Sequence, residues 1–258
     1  MSNLYNDLAT IYDKMYQTFI DYEAEYHFYN QIIETNKKTT VLEIGSGTGH
    51  LAKYFQATNF DYLGLDYSVE MIEIAKNRVP NVAFLQGDMR HFFLKKPIES
   101  VIITARTISY LLTNKDVINT FSSIYNNLKP TGILCFDFID ANEFIPNIAK
   151  GEEVTHKASF DGEVYFRESF WQANLENGMD FKWDSVYYKK ENERQIKIGE
   201  DNAIIRTFTL DEIKIFLTIT NFKIKNIIKR PSYAFPTYVI MAEKWPPADF
   251  VPSTRDRF

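Results

Sequence analysis

The sequence of 258 residues contains a single cysteine, Cys135, so no disulfide bond can form within the chain. That cysteine lies in the apolar run ILCFDF, where a small buried side chain is expected rather than a nucleophile. The sequence also lacks any run of about 18 apolar residues, the length that crosses a membrane. Its N-terminus, MSNLYNDLATIY, lacks the pattern of a signal peptide. These absences predict a cytoplasmic protein without a membrane segment.

A surplus of positive charge is missing as well. The chain has 29 Lys and Arg against 34 Asp and Glu, a net charge of -5 at pH 7. Nucleic-acid binding needs Lys and Arg concentrated on one face, so nucleic acid is excluded as the main partner. The acidic excess falls in residues 151–201, with twelve acidic and seven basic residues. Two interpretations stay open, a solvated outer face or an anionic wall that faces a cationic substrate.

What the sequence does contain is an alternation of apolar strands and amphipathic helices between residues 39 and 140. The predicted strands are TTVLEIG, DYLGLDYS, VAFLQGD, SVIITA and ILCFDFI. The helix after Asn114 carries Val117, Phe121, Ile124 and Leu128 on one stripe. This alternation is typical of a parallel sheet that is covered by helices on both faces.

The flanking segments follow other patterns. Residues 1–37 are predicted to form a helical lid. Residues 151–204 alternate in the manner of antiparallel strands, with a hairpin signal at Asn177-Gly178 and with RQIKIG and AIIRTF as candidates for further strands. FKIKNIIK and TYVIMAEK predict the last two strands, and 246–258 an irregular tail. The expected fold is α/β, a doubly wound, mostly parallel seven-stranded sheet formed by 38–150 and 205–245, with an antiparallel β insertion after the fifth strand.

The turn after the first strand, in VLEIGSGTGHLA, has glycine at Gly45, Gly47 and Gly49. Glycines there allow close approach of a ligand to the backbone, and the following helix offers free N–H groups. A dinucleotide-binding turn requires a third glycine where this chain has His50, so that match is poor.

Three blocks, VLEIGSGTGHLA, GLDYSVEMIEIAK and FLQGDMRHF, together resemble the class I S-adenosylmethionine-dependent methyltransferases. The resemblance covers 39–140, and 205–244 more loosely. It implies a Rossmann-like fold, S-adenosylmethionine as cofactor and no metal. It also implies that Glu43 holds the amino group of the cofactor, Asp66 the ribose hydroxyls, and Asp88 with the Met89 N–H the adenine. The other expected cofactor-binding residues are Tyr16, Gly45, Ser46, Gly47, Gly49, Tyr67, Met71 and Arg106. For Tyr67 and Met71 a place in the core is equally open. For Asp66 the alternative is a helix cap, which the flanking pattern disfavours.

Within that family the chain resembles small-molecule N-methyltransferases that act on amino groups of deoxysugars. LATIYDKMY is similar to their tyrosine-bearing helix that closes over the cofactor, and LQGDMRHF to their third block. The β insertion and PSYAFPTYVIMAEK also match. One departure is Tyr110, in ARTISYLL, where a histidine is expected in the aminosugar enzymes.

The predicted function is therefore methyl transfer from S-adenosylmethionine to the amino group of a small molecule, with a nucleotide-linked deoxy-aminosugar as leading acceptor. The catalytic candidates are Tyr12, Tyr110 and His156. Another amine, a hydroxyl, a carboxylate or a peptide N-terminus stays open as acceptor. A binding subunit without catalysis is a second alternative, which the presence of Glu43, Asp66 and Asp88 disfavours.

Overall fold

A computed structural model describes residues 5, 8–148, 152–174, 178–192, 194–231 and 235–246. The chain begins with two helices, α1 (Ala9–Tyr16) and α2 (Tyr22–Thr35), where the sequence predicted helix throughout 1–37. Residues 17–21 separate them, and Asp21 starts α2 by accepting the N–H of Ala24 at 2.9 Å. This break lets α2 cover the main sheet while α1 packs against a different part of the chain.

The remaining elements follow in chain order. The strands are β1 (Thr40–Ile44), β2 (Asp61–Asp66), β3 (Ala83–Gln86), β4 (Ile98–Ile103), β5 (Leu128–Ile139), β6 (Glu152–Phe160), β7 (Glu163–Asn174), β8 (Asp180–Glu191), β9 (Arg194–Arg206), β10 (Phe222–Pro231) and β11 (Pro236–Lys244). The helices are α3 (His50–Phe55), α4 (Val69–Arg78), α5 (Asn114–Asn127), α6 (Ala141–Ile148) and α7 (Leu210–Ile219), with a 3₁₀ turn at Thr107–Tyr110.

Seven strands form the main sheet in the order β3-β2-β1-β4-β5-β11-β10. Strands β1 to β5 are parallel to one another, whereas β11 is antiparallel to both β5 and β10. The predicted fold class is confirmed. Since parallel strands end at the same edge, the turns after β1, β2, β3 and β4 lie together, where open α/β sheets bind ligands.

The core lies on both faces of this sheet. One layer packs under α5 and α7 and includes Phe121, Phe136 and Leu217, while the other packs under α2, α3 and α4 and includes Tyr29 and Phe55. Cys135 is fully buried in the second layer, and burial raises the pKa of its thiol well above the ordinary value. No helix of the described residues is long and apolar enough to span a bilayer.

The insertion is a four-stranded antiparallel sheet in the order β6-β7-β8-β9. RQIKIG and most of AIIRTF are strand, as the alternation indicated, but they belong to one continuous strand, β9. A register shift opposite Tyr187 and Tyr188 allows this strand to continue through Gly199. Helix α6, which contains Pro146, was not predicted. Asn177 of the predicted hairpin lies outside the described residues, and Gly178 precedes β8.

The inner face of the insertion is apolar at both ends and polar between them. One end packs on α1 through Met15, Tyr16 and Tyr165, and the other end packs on Phe144 and Phe235. The buried polar residues between these ends are Arg167, Ser169, Ser185 and Asp201. The exposed acidic residues include Glu153, Asp161, Glu191 and Glu200, which matches a solvated outer face. Asp201 is the acidic residue of the polar band on the inner side.

Candidate active site

The turn between β1 and α3 is shaped by glycines with left-handed backbone. Gly45, Gly47 and Gly49 have φ angles of 73°, 52° and 78°, which residues with a Cβ rarely adopt. A Cβ on Gly45 would lie 2.4 Å from Thr107 Oγ1, so the turn after β4 packs directly against it. A Cβ on Gly47 would meet no protein atom within 4 Å. The backbone at Gly47 therefore borders open space that a ligand can approach closely.

Glu43 is a buried carboxyl near the end of β1. Its Oε2 accepts a hydrogen bond from the Tyr62 phenol, and its Oε1 accepts one from the Thr104 hydroxyl at 2.8 Å. Burial raises the pKa of Glu43 to about 7, although these two donors act in the opposite direction. A cation beside the carboxyl favours its ionised form. Glu43 is thus suited to receive a positively charged group.

Asp66, at the end of β2, connects two turns. Its Oδ2 accepts the N–H of Gly47 at 2.7 Å, and its Oδ1 accepts the N–H of Ser68 at 2.9 Å. Burial raises the pKa of Asp66. Ser68 caps α4, because its Oγ accepts the N–H of Met71 at 3.0 Å. Each oxygen of Asp66 can still accept a second hydrogen bond from a ligand.

Asp88 lies after β3 and is held by Arg90. The guanidinium donates to Oδ2 from Nη2 at 2.6 Å and to Oδ1 from Nε at 3.0 Å. The same Arg90 donates from Nη1 to Asp116 at 3.1 Å. Hydrogen bonding from Arg90 holds the pKa of Asp88 below its ordinary value, so this carboxylate is anionic and fixed in place.

Two cavities meet at the glycine turn. The larger, about 340 Å³, opens beyond β2 and β3, and the smaller, about 60 Å³, lies beside Glu43. Gly45 and Gly47 line both cavities, so the two adjoin there. Of the other residues predicted from the sequence, the larger cavity is lined by Asp66, Tyr67, Met71, Asp88, Met89 and Tyr110, and the smaller by Tyr12, Glu43, Ser46 and Arg106.

Three predicted residues line neither cavity. Gly49 caps the start of α3. The phenol oxygen of Tyr16 accepts a hydrogen bond from Arg167 at 2.6 Å. The ring of His156 lies 4.5 Å from that of Phe19, with Nδ1 3.4 Å from Arg167. This placement favours a structural role for Tyr16 and His156 over the cofactor and catalytic roles that the sequence predicted.

Arg106 lies in a strained turn after β4. Ala105 and Arg106 both have left-handed φ, 54° and 61°, although neither is glycine; such strain clusters at functional sites. The Arg106 N–H donates to Oδ1 of buried Asp137 at 2.7 Å. Burial raises the pKa of Asp137 to about 6. Asp137 and Arg230 also line the smaller cavity, and the sequence reasoning missed both because they interrupt strands read for their apolar residues.

The sequence reasoning also missed the contacts that fix α1 over the site. Asp13 accepts hydrogen bonds from Thr48 of the glycine turn, from His50 at the start of α3 and from Arg78 of α4. One helical turn later, Tyr16 meets Arg167 of the insertion. The only available signal was the charge of Asp13 within an otherwise apolar helix face.

Tyr5 was missed as well, and it covers the larger cavity. Its carbonyl oxygen accepts the hydroxyl of Ser68 at 2.6 Å, and its phenol shares a hydrogen bond with that of Tyr110. Ser68 follows β2 and Tyr110 follows β4, so Tyr5 bridges opposite sides of the opening. No local pattern in the sequence indicates a contact between residues 105 positions apart.

Comparison with known proteins identifies the family. Residues 41–132 match the family described as "Methyltransferase domain". The chain is 33% identical over 231 residues to the methyltransferase YqeM of Bacillus subtilis, and the match covers 87% of this chain and 88% of that protein. The name of this relative does not specify a methyl acceptor. This protein belongs to the class I S-adenosylmethionine-dependent methyltransferases.

Two further proteins that resemble the methyltransferase are named for amino acceptors. It is 26% identical over 233 residues, 88% of each protein, to dTDP-3-amino-3,6-dideoxy-alpha-D-glucopyranose N,N-dimethyltransferase from Streptomyces fradiae. The solved structure of S-adenosylmethionine-bound CalS10, an amino pentose methyltransferase from Micromonospora echinaspora, has a TM-score of 0.75 at 18% identity, covering 91% of this chain and 96% of that chain. The structural likeness shows a shared fold.

The residues of the methyltransferase fit S-adenosylmethionine. The larger cavity offers apolar walls and two carboxylates to a nucleoside, and the adjoining smaller cavity offers buried Glu43 to a cationic amino acid group. The backbone at Gly47 is open where the two cavities meet. Among the described residues, Ser46 Oγ is buried beside this junction without a hydrogen-bond partner. An adenosine joined to an amino acid matches the chemistry of the two adjoining cavities.

Proposed function

We propose that this methyltransferase acts on the amino group of a small molecule, with a nucleotide-linked deoxy-aminosugar as its acceptor. The observation that carries the proposal is the enclosure of the glycine turn. Tyr5 and α1 cover the two cavities, and the insertion packs on α1 through Tyr16 and Tyr165. A covered site admits a small acceptor rather than a folded protein. The S. fradiae relative is named for an aminosugar and aligns across the insertion, which supports the amine as acceptor.

The proposed cofactor contacts follow from the geometry of the three carboxyl groups. Glu43 receives the amino group and is ionised by it. Asp66, fixed by Gly47 and Ser68, accepts from the ribose hydroxyls, and Asp88 faces the adenine between Tyr67 and Met71. When bound, S-adenosylmethionine supplies a methyl group that is activated by the positive charge on its sulfur.

On the acceptor side, we assign orientation to Tyr12 and Tyr110 and attraction of the amine to Asp201. Strand β9, which carries Asp201, packs against the 3₁₀ turn that carries Tyr110. Burial raises the pKa of Tyr110. Tyr110 therefore stays a neutral phenol that can donate or accept a hydrogen bond. An ammonium ion must lose a proton before its nitrogen becomes nucleophilic. Enclosure by α1 then excludes water and keeps the reacting groups aligned.

The proposal is tested with purified enzyme, S-adenosylmethionine and a panel of acceptors. The panel pairs nucleotide-linked aminosugars with the same sugars carrying a hydroxyl in place of the amine, and adds a peptide with a free N-terminus and a simple carboxylate. Mass spectrometry of the products and release of the demethylated cofactor are measured together.

Methylation of an aminosugar, with its hydroxyl counterpart unchanged, is the expected result. Methylation of the hydroxyl or carboxylate members alone would overturn the amine assignment, and methylation of the peptide alone would overturn the aminosugar as acceptor. Both results leave the methyltransferase activity intact. Cofactor binding without turnover on any member of an extended amine panel would favour the non-catalytic alternative.

A further inference from the structure

Glu43 is held from both sides of its strand. On one side Tyr62 of β2 donates its phenol to Oε2, and on the other side Thr104, which follows β4, donates its hydroxyl to Oε1 at 2.8 Å. The register explains both contacts, because Glu43 lies opposite Gly64 in β2 and opposite Ile102 in β4. Tyr62 and Thr104 are each two residues away from those partners, so both are diagonal neighbours of Glu43 on one face of the sheet.

Tyr62 belongs to the core and does not border the space that a ligand occupies. It lines neither cavity, and its ring stacks on that of Phe55 at a centroid distance of 5.3 Å. Burial and the adjacent Glu43 raise the pKa of Tyr62 well above its ordinary value, so its phenol stays protonated and donates. Thr104, by contrast, lines the smaller cavity together with Glu43. Any effect of the Tyr62 phenol on a ligand in that cavity must therefore pass through Glu43.

Two donors oppose the effect of burial on Glu43. Burial disfavours its ionised form and nearby Asp66 acts in the same direction, whereas the hydrogen bonds from Tyr62 and Thr104 stabilise the anion. The other ionisable side chains that face the smaller cavity come from α1, α2, α3, the turn after β4, β5 and β10: Tyr12, Tyr22, Glu25, His50, Arg106, Asp137 and Arg230. Because a substitution at Tyr62 leaves all of these in place, its effect reports on the hydrogen bond to Glu43.

We propose that Tyr62 is a positioning residue for the cofactor: its hydrogen bond orients the Glu43 carboxyl group and stabilises the ionised carboxylate that receives the cationic amine of S-adenosylmethionine. The inference rests on the proposed contact between Glu43 and that amine. It adds a residue of the core, outside both cavities, that determines the pH at which the contact forms.

The test measures dissociation constants by calorimetry across the neutral pH range in wild type, Tyr62→Phe and Tyr29→Phe. Two ligands are compared: S-adenosylhomocysteine, which keeps the amino acid part of the cofactor, and methylthioadenosine, which lacks it. Tyr62→Phe keeps the ring that stacks on Phe55 and loses the donor to Glu43. Tyr29→Phe is the matched control, because Tyr29 is buried in the same core layer and its phenol oxygen has no hydrogen-bond partner among the described residues.

In wild type, the affinity for S-adenosylhomocysteine should rise with pH and level off above the pKa of Glu43, which is about 7. Removing a donor to the anion raises the pKa of Glu43, so the curve of Tyr62→Phe should level off about one pH unit higher. Near neutral pH its affinity should be about fivefold lower than that of wild type, and the difference should shrink as pH rises. Tyr29→Phe should follow the wild-type curve. Neither variant should change the affinity for methylthioadenosine.

A Tyr62→Phe curve that levels off at the same pH as that of Tyr29→Phe, or an equal weakening of both ligands, would overturn the inference. If Tyr62→Phe does not fold, carbon NMR of the wild type decides instead. The carboxyl carbon of Glu43 and the phenol carbon of Tyr62 should then titrate at the same pH, and separate titrations would overturn the inference. Wild-type affinity for S-adenosylhomocysteine that does not depend on pH is a different result, because it would reject the proposed contact between Glu43 and the amine itself.

Discussion

Asp13 of α1 and His50 at the start of α3 are joined by a hydrogen bond of 2.9 Å between Oδ1 and Nε2. Arg78 of α4 donates to the same carboxylate at 2.8 Å, and the Thr48 hydroxyl donates at 2.6 Å. Burial disfavours the charged form of Asp13, but hydrogen bonds from His50, Arg78 and Thr48 outweigh burial and hold its pKa well below the ordinary value. The Asp13 carboxylate thus fastens α1 to the glycine turn and to α4.

Replacing Asp13 with Asn should loosen α1 and destabilise the fold. Removing one partner from a buried ion pair leaves Arg78 uncompensated, and the expected loss in free energy of unfolding is about 3 kcal/mol. Because the folded pKa of Asp13 is lowered, its stabilisation is present above the unfolded pKa and is lost as pH falls through the folded pKa. The difference between wild type and variant should therefore be constant in the neutral range. Urea denaturation of the two proteins measures it.

The control for this prediction is Lys14→Ala, one residue further along α1. Lys14 pairs with Asp161 at the surface, where ion pairs contribute little to stability. The urea midpoint of the Lys14→Ala variant should stay close to that of wild type. If Asp13→Asn is as stable as Lys14→Ala, Asp13 does not hold α1 to the glycine turn and α4.

Cofactor binding should be coupled to deprotonation of Glu43. In the free protein the pKa of Glu43 is raised to about 7, so the protonated form is favoured below neutral pH. For an acid whose folded pKa is raised, the stability contribution is present below the unfolded pKa and is lost as pH rises through about 7. Binding of a cationic amine needs the ionised form. The affinity for S-adenosylmethionine should therefore rise about tenfold between roughly pH 6 and pH 8.

Calorimetry in buffers of different ionisation enthalpy detects the released proton directly. Glu43→Gln, which keeps the shape of the side chain, should bind the cofactor more weakly and with an affinity independent of pH in this range. Retention of the full pH dependence in Glu43→Gln would assign the proton to another group.

The sequence predicted those parts of the site that depend on local pattern. Glycines after an apolar strand place a left-handed turn at Gly45 and Gly47. Asp66 and Asp88 come at the ends of consecutive parallel strands, so the sheet brings them to one edge. Each of these inferences uses residues that are close in the chain or related by strand order.

The contacts that the sequence did not reveal join distant segments. These contacts form only when Tyr5 and α1 pack against both sheets. They join Asp13 to Arg78, Tyr16 to Arg167, and Tyr5 to Tyr110. A tyrosine in an amphipathic helix is equally consistent with a core position and with a ligand contact. For that reason Tyr16 was predicted as functional, although its phenol lies at Arg167. His156 was a candidate because of its place in the insertion, and its ring also lies at Arg167.

Gly47 offers a direct test of where the cofactor lies. Gly47 and Gly162 both have left-handed backbone, with φ of 52° and 75°, and in both a Cβ would meet no protein atom within 4 Å. Each glycine-to-alanine substitution should cost about 1 kcal/mol of stability from backbone strain. Gly47 lines both cavities, so Gly47→Ala should also weaken cofactor binding by about tenfold to a hundredfold.

Gly162, in the turn between β6 and β7, provides the matched control. Gly162→Ala should show the same loss of stability by thermal denaturation and an unchanged dissociation constant for S-adenosylmethionine by calorimetry. Equal cofactor affinity in the two variants would place the cofactor away from the glycine turn.

Asp201 should affect the acceptor and not the cofactor. It is buried on the inner face of β9, opposite Ser185, and β9 packs against the 3₁₀ turn that carries Tyr110. Asp201→Asn keeps the size of the side chain and removes the negative charge, so KM for an amine acceptor should rise about tenfold, the value of one hydrogen bond to a charged group. Glu200→Gln is the control, because Glu200 is exposed and pairs with Lys197 on the outer side. Steady-state kinetics with saturating cofactor measures both variants. An unchanged KM in Asp201→Asn, or an equal rise in Glu200→Gln, would exclude the inner face of the insertion as the surface that receives the amine.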